Sequence, residues 1–407
     1  MATPTVVLVG TLDTKGHEYS YLRDRVRDAG ADVLLVDAGV LGEPQVAPDI
    51  AREEVASAAG ADHAALVAAG DRGRAVEVMG RGAGVVLGRV HAEGRLQGAA
   101  AVGGSGNSSI AAAAMRDLPV GVPKLIVSTV ASGDTRPYVG ANDVTMMYSV
   151  VDIAGINQIS AQILTNAAGA IAGMAKAAPP AAGDARPLVA ATMFGVTTPA
   201  VTRARERLEE LGYEVLVFHA TGTGGQSMEA LASGGFLAGV LDLTTTELAD
   251  ELVGGVLSAG PDRLEAAGAA GVPQVVSLGA LDMVNFGPKD TVPERFGERN
   301  LYVHNPTITL MRTTPEENAE LGRRIARKLN GASAPTVLFV PLRGVSAIDV
   351  EGQPFHDRAA DDALFAALRE HVDRGRVEVH EVEADVNDPA FATALADRLH
   401  ELVEAAR

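Results

Sequence analysis

A chain of 407 residues with a formal net charge of -18 repels a phosphate backbone, which argues against nucleic acid or an anionic membrane as a general partner. The absence of cysteine excludes disulfides, thiolate catalysis and thiolate-ligated zinc or iron–sulfur clusters, and fits a reducing, cytoplasmic setting. Hydrophobic residues make up 47%, enough for buried cores, but aromatics are 4% and Trp is absent, so Ala, Val, Leu and Gly must do the packing.

Met1 to Gly10 lacks a basic leader and runs directly into a strand pattern, and no apolar stretch reaches the ~18 residues of a membrane span. Thr5 to Val9 reads as a strand buried on both faces of a parallel sheet. A polar turn, residues 10–16, leads into a helix with Tyr19, Leu22, Val26 and Ala29 on one side. Gly30 sits where a helix ends, and Asp32 to Val36 is the next strand, completing a βαβ unit. Residues 49–93 read as helical, with Gly60, Gly70 and Gly80 as punctuation. Gln97 to Val102 and Pro123 to Ser128 are further strands, and a long helix is expected from about Ile156 to Lys176. The Pro-rich segment 178–187 is the best linker. It predicts two domains, 1–182 and 183–407. The carboxyl end closes on a helix with Phe391, Leu395, Leu399 and Leu402 on one face.

The second half repeats the first. Residues 22–36 lie over 204–218 without a gap, Gly121-Val-Pro-Lys over Gly271-Val-Pro-Gln, and Gly98 leading to Gly103 over Gly239 leading to Thr244. Three matches in one order suggest duplication. The expected fold is α/β: two Rossmann-like, doubly wound domains with mainly parallel sheets.

In such sheets ligands bind beyond the carboxyl ends of the strands. Three polar turns of the first half lie there, residues 10–16, 103–109 and 131–134. Gly103, Gly104, Ser105 and Gly106 form a turn that lets backbone amides and a helix N-terminus approach an anion; the alternative is a tight turn capped by Ser108 or Ser109. Lys15 supplies a cation, and Asp13 and Thr14 supply oxygens for Mg²⁺; the plain alternative is a solvated lysine with Asp13 as N-cap. Neither a Walker A sequence nor G-x-G-x-x-G occurs. One charge-assisted hydrogen bond nets roughly 1.5–3 kcal/mol. Micromolar binding needs about 8 kcal/mol, so several turns must converge.

In the second half His219 stands at a strand end before Gly222, Gly224 and Gly225, where it is a candidate general base beside Glu247 and Asp282. Arg312, after an apolar run, is a candidate clamp for a carboxylate or phosphate, or an ordinary ion pair. No His-x-x-x-His or similar spacing exists, so no protein-only metal site is expected.

Six motifs together resemble one family: residues 10–18, 103–106, 127–133, 218–225, 278–287 and 304–313. It is the family of the tomato mosaic virus resistance protein, an inhibitor of viral RNA replication with an ATP-binding amino-terminal region. The resemblance implies two Rossmann-like domains, a homodimer, and ATP with Mg²⁺ as ligand. It carries the nucleotide role onto Thr11, Asp13, Thr14, Lys15, Gly103, Gly104, Ser105, Gly106, Ser132 and Gly133. The chain departs from the family pattern at Asn107-Ser108, where Gly-Thr is usual. Plant relatives carry a further barrel domain beyond the part matched here. Three functions remain open at this stage: an ATP-dependent enzyme acting on a small anionic metabolite through His219, Glu247 and Arg312, a regulatory module stabilised by ATP, and a nucleotide-independent hydrolase or lyase.

Overall fold

The computed structural model describes residues 3–178 and 186–407. Most of the expected linker, and the expected boundary with it, lies outside them. The chain separates into two compact units, residues 1–181 and 182–407.

The first unit is a five-stranded parallel sheet in the order β2-β1-β3-β4-β5. The strands are β1 (Thr5–Gly10), β2 (Asp32–Asp37), β3 (Gly98–Gly103), β4 (Lys124–Ser128) and β5 (Thr145–Tyr148). Alternation along β1 divides its side chains between two cores. Val7 and Val9 pack with Met79, Ala83 and Ile110, while Val6 and Leu8 pack with Tyr19, Leu22 and Leu164. Helices Arg72–Ala92 and Ser105–Met115 therefore cover one face, and helices Leu12–Asp28 and Gln158–Lys176 the other. Each fully buried Val or Leu contributes roughly 1.5–3 kcal/mol, so a sheet sandwiched on both faces holds without large aromatics.

The second unit has a six-stranded parallel sheet, read from one edge as β7-β6-β8-β9-β13-β14. These are β6 (Leu188–Met193), β7 (Glu214–His219), β8 (Gly239–Thr244), β9 (Gln274–Gly279), β13 (Thr336–Pro341) and β14 (Val377–Val382). Between β9 and β13 the chain inserts an antiparallel sheet in the order β10-β12-β11: β10 (Met283–Phe286), β11 (Leu301–Asn305) and β12 (Ile308–Arg312). Both units are Rossmann-like, and their first five sheet positions follow one plan. β6, β7, β8, β9 and β13 stand where β1, β2, β3, β4 and β5 stand. All three sequence repeats fall on equivalent elements: the helix leading into β2 or β7, the strands β3 and β8, and the turns entering β4 and β9.

No helix among the described residues is long and apolar enough to cross a membrane.

Candidate functional site

The strand order of the first unit reverses between β1 and β3, leaving a crevice at their carboxyl ends. A cavity of about 370 Å³ opens there, within the usual range for small-molecule sites. Thr11, Asp13, Thr14 and Lys15 line it from the turn after β1, and Gly104, Ser105, Gly106 and Asn107 from the turn after β3. The far wall is apolar, formed by Val40, Leu66, Val67, Val76 and Ile110 among others. Leu41 and Val67, 76% and 48% exposed, are large apolar side chains left uncovered beside it. Arg72, Asp71 and Asp152 complete the lining.

A small polar hub joins the two turns. The Tyr19 hydroxyl donates to the Val9 carbonyl (2.6 Å) and accepts from the Val102 amide (3.0 Å) and from Asn107 Nδ2 (2.8 Å). Asn107 Oδ1 accepts from the Thr11 amide at 3.3 Å, and Nδ2 also donates to the Val102 carbonyl. Gly10 is required: a Cβ there would stand 1.9 Å from the Tyr19 oxygen. Burial raises the Tyr19 phenol well above its ordinary pKa, so it remains a neutral donor. Ser108 extends the hub by bonding Ser128 Oγ (2.7 Å) at the end of β4.

Helix Leu12–Asp28 starts from Thr11 and helix Ser105–Met115 from Gly104, and neither N-cap side chain makes a capping bond. Both helices open on the cavity: the first-turn amides of helix Ser105–Met115 meet no cap, whereas in helix Leu12–Asp28 the Leu12 amide already donates to Asp37 Oδ1 and the backbone departs from helical geometry at Lys15. Ser108 and Ser109 are not caps. They lie one turn inside the helix and bond back to the carbonyls of Gly104 and Ser105. Lys15 donates to the Ile153 carbonyl at the cavity edge.

Asp13 is placed differently from a metal ligand. Its side chain is only 2% exposed, and Oδ2 accepts from the amides of Leu41 (2.6 Å) and Gly42 (3.3 Å), holding the loop after β2. Oδ1 is buried without a partner. Nor is Asp37, at the end of β2, open to a ligand: Arg52 and the amides of Leu12 and Gly39 occupy it. Ser132 and Gly133 are exposed after β4 and do not line the cavity, and Gly103 lies just beneath its lining. Sequence reasoning missed Arg72 and Asp152, neither of which belongs to the three polar turns 10–16, 103–109 and 131–134.

In the second unit the three expected catalytic residues have separate settings. His219 is exposed at the end of β7, its ring 5.6 Å from that of Phe194. Glu247 is fully buried. Its Oε1 accepts from the amides of Gly222 (2.7 Å) and Gly225 (3.1 Å), and Oε2 from Arg263 Nε (2.7 Å). Its carboxylate therefore fills the anion position at the helix that follows. Gly225 has to be glycine, because a Cβ would lie 2.1 Å from Glu247 Oε2. Arg263 also binds Asp242 through two nitrogens and Glu229 through one. Burial opposes its charge, but these carboxylates outweigh that and hold the guanidinium ionised. Arg312, 4% exposed, is saturated by the Phe355 carbonyl, Asp349, Asp361 and Thr313. It is an internal ion pair and leaves no fork for an external anion.

The 219–225 turn follows β7, so its counterpart in the first unit is the loop after β2. The counterpart of the 10–16 turn is the short segment after β6, where Thr197 Oγ1 meets Thr244 Oγ1 at 2.7 Å. That segment is packed shut, with Thr197, Thr244, Thr245 and Thr246 all fully buried.

With the geometry in place, comparison with known proteins places the chain. Residues 4–180 match the N-terminal domain, and residues 186–403 the C-terminal domain, of the Uncharacterised protein family (UPF0261). The chain belongs to UPF0261. A UPF0261 protein of Clostridium tetani is 53% identical over 98% of this chain and 99% of its own length. The tomato (Solanum lycopersicum) ToMV resistance protein Tm-1(GCR237) is 40% identical over 98% of this chain, which spans only 56% of the plant protein. Among solved structures, a UDP-N-acetylglucosamine 2-epimerase from Rickettsia bellii covers 99% of this chain and 97% of its own. Its 10% identity and TM-score of 0.23 carry no inference.

Proposed function

We propose that the amino-terminal unit binds ATP with Mg²⁺ in the cavity beyond the carboxyl ends of β1 and β3. The observation carrying this reading is the convergence of the turns after β1 and β3, the second opening an uncapped helix N-terminus, on one cavity with an apolar far wall. Phosphates suit the first end, where helix amides, Lys15 and Arg72 offer positive potential. A purine ring suits the second, against Leu66, Val67 and Val76. Several charge-assisted bonds of roughly 1.5–3 kcal/mol each reach the ~8 kcal/mol of micromolar binding once association costs are met. Mg²⁺ fits as an ion carried by the triphosphate, with the exposed Asp152 carboxylate, whose Oδ1 also accepts from the Ile153 amide, and the Thr14 hydroxyl, now paired with Thr11 Oγ1, as the oxygens in reach. Asp13, withdrawn behind the loop it holds, supports the wall instead.

Turnover of a small anionic metabolite at His219, Glu247 and Arg312 lacks comparable support, because internal partners already hold Glu247 and Arg312. The reading is therefore nucleotide binding, without a transfer step.

Calorimetric titration of the full chain with ATP and Mg²⁺ tests it, and one binding site with a matching thermal shift is expected. Asn107→Asp keeps the side-chain shape but loses the Nδ2 donor and sets a negative charge beneath the phosphate position. Affinity should fall about 100-fold, the equivalent of ~2.7 kcal/mol. Neither heat nor thermal shift with the wild-type protein would end the proposal.

A further inference from the structure

Residues 342–357 join β13 to the helix Arg358–His371 without a regular element of their own. Loops beyond ~12–15 residues are uncommon inside a compact domain unless they have a task. Asp349 and His356 lie on this loop and Asp361 in the first turn of the helix. One ligand atom from each lies within 4.8 Å of the others. Asp349 and Asp361 are buried while His356 is exposed, so the cluster has a route to solvent. His356 Nδ1 stands 3.0 Å from the Asp349 carbonyl oxygen. Metal-ligating histidines commonly use one ring nitrogen for such a bond and the other for the metal.

A second observation points the same way. Asp282 is fully buried, and its Oδ2 accepts from Ser346 Oγ at 2.8 Å, yet its Oδ1 has no partner. Ser346 lies on the same loop, and its carbonyl accepts from the Asp349 amide at 3.2 Å, so this carboxylate stands against the segment that carries Asp349 and His356. Arg312 bonds Asp349 and Asp361 at 3.0 and 2.7 Å, so one guanidinium ties the two buried carboxylates of the cluster together.

We propose that Asp349, His356 and Asp361 bind one divalent cation of the zinc or manganese class, with the unpartnered Asp282 Oδ1 behind the loop that carries the first two. A mixed imidazole and carboxylate set suits these metals, whereas Mg²⁺ and Ca²⁺ prefer oxygen alone. The carboxylates keep Arg312 as well, because each has lone pairs for both partners. The cation pins the 342–357 loop to the start of the helix. This site lies in the second unit and is independent of the nucleotide reading.

The test uses full-length protein, stripped with a chelator, desalted and kept free of nucleotide. It is titrated separately with Zn²⁺ and Mn²⁺, with metal content measured after gel filtration. One equivalent of at least one metal should be retained, with a rise in Tm. His356→Ala removes an exposed side chain, so the variant should fold, and it should weaken metal affinity at least ~10-fold while ATP binding stays at the wild-type level. Asp361→Asn preserves side-chain shape and should lose the same equivalent. Folded wild-type protein that retains neither metal overturns the proposal, as does unchanged affinity in His356→Ala.

Discussion

Arg263→Ala is expected to lower the stability of the carboxyl-terminal unit by ~3–5 kcal/mol, the usual result of removing one partner from a buried ion pair. Arg263 is 1% exposed and is the shared counter-charge of Asp242, Glu247 and Glu229. Without it, Asp242 and Glu247 remain in the interior unpaired. Glu247 also orders the 222–225 turn through two amides, so the damage should spread to that turn. Urea denaturation by circular dichroism reads the stability, and hydrogen exchange at β8 and residues 222–225 reads its location. A loss below ~1 kcal/mol would mean that the network is not ionised as described.

The second large effect concerns pH. Asp250 is fully buried. Burial pushes its carboxyl from the usual 3.8 up to about 7, against hydrogen bonds from the Asn285 side chain and the amides of Leu257 and Asn285. The folded protein therefore holds this proton more tightly than the unfolded chain does. The resulting stability is fully present below pH 3.8 and is lost as pH rises through about 7. Its total is ~4 kcal/mol at most, since one pKa unit corresponds to about 1.4 kcal/mol. Asp250→Asn removes the titration and should flatten the fall in stability between pH 4 and 7 by up to ~1.4 kcal/mol per pH unit. Identical pH slopes in variant and wild type would place Asp250 ionised throughout.

Much of the architecture was legible in the sequence because it is carried by local pattern. The continuous apolar run of β1, the left-handed glycine after helix Leu12–Asp28 (Gly30, φ 79°) and the apolar stripe of helix Pro389–Ala406 all follow from local pattern and turn chemistry. The three internal matches were informative for the same reason: each covers a strand with the helix or turn that feeds it. Gly80 misled that reading. It sits inside helix Arg72–Ala92, where the missing side chain admits Ala113 of the neighbouring helix, and it interrupts nothing.

The site was legible only in part, through its glycine-rich turns. Asn107, read as a departure from a family pattern, is the side chain that fastens the turns after β1 and β3 together. Tyr19 looked like one more core position on a helix face, yet its hydroxyl is the centre of that hub. The polar network of the second unit was opaque for a simpler reason. Arg263 meets Glu247 and Asp242 across 16 and 21 positions, and Arg312 meets Asp349 and Asp361 across 37 and 49. No spacing rule spans such distances. For Glu247 and Arg312, residue type suggested chemistry, while burial and partner count reveal structural ion pairs.

Crystals soaked with a non-hydrolysable ATP analogue and Mg²⁺ give the most direct reading of the central claim. Phosphate density should lie over the first turns of helices Leu12–Asp28 and Ser105–Met115, within reach of Lys15 and Arg72, with the base against Leu66 and Val67. A nucleotide found only in the carboxyl-terminal unit, or a cavity that stays without density at saturating analogue, would contradict it.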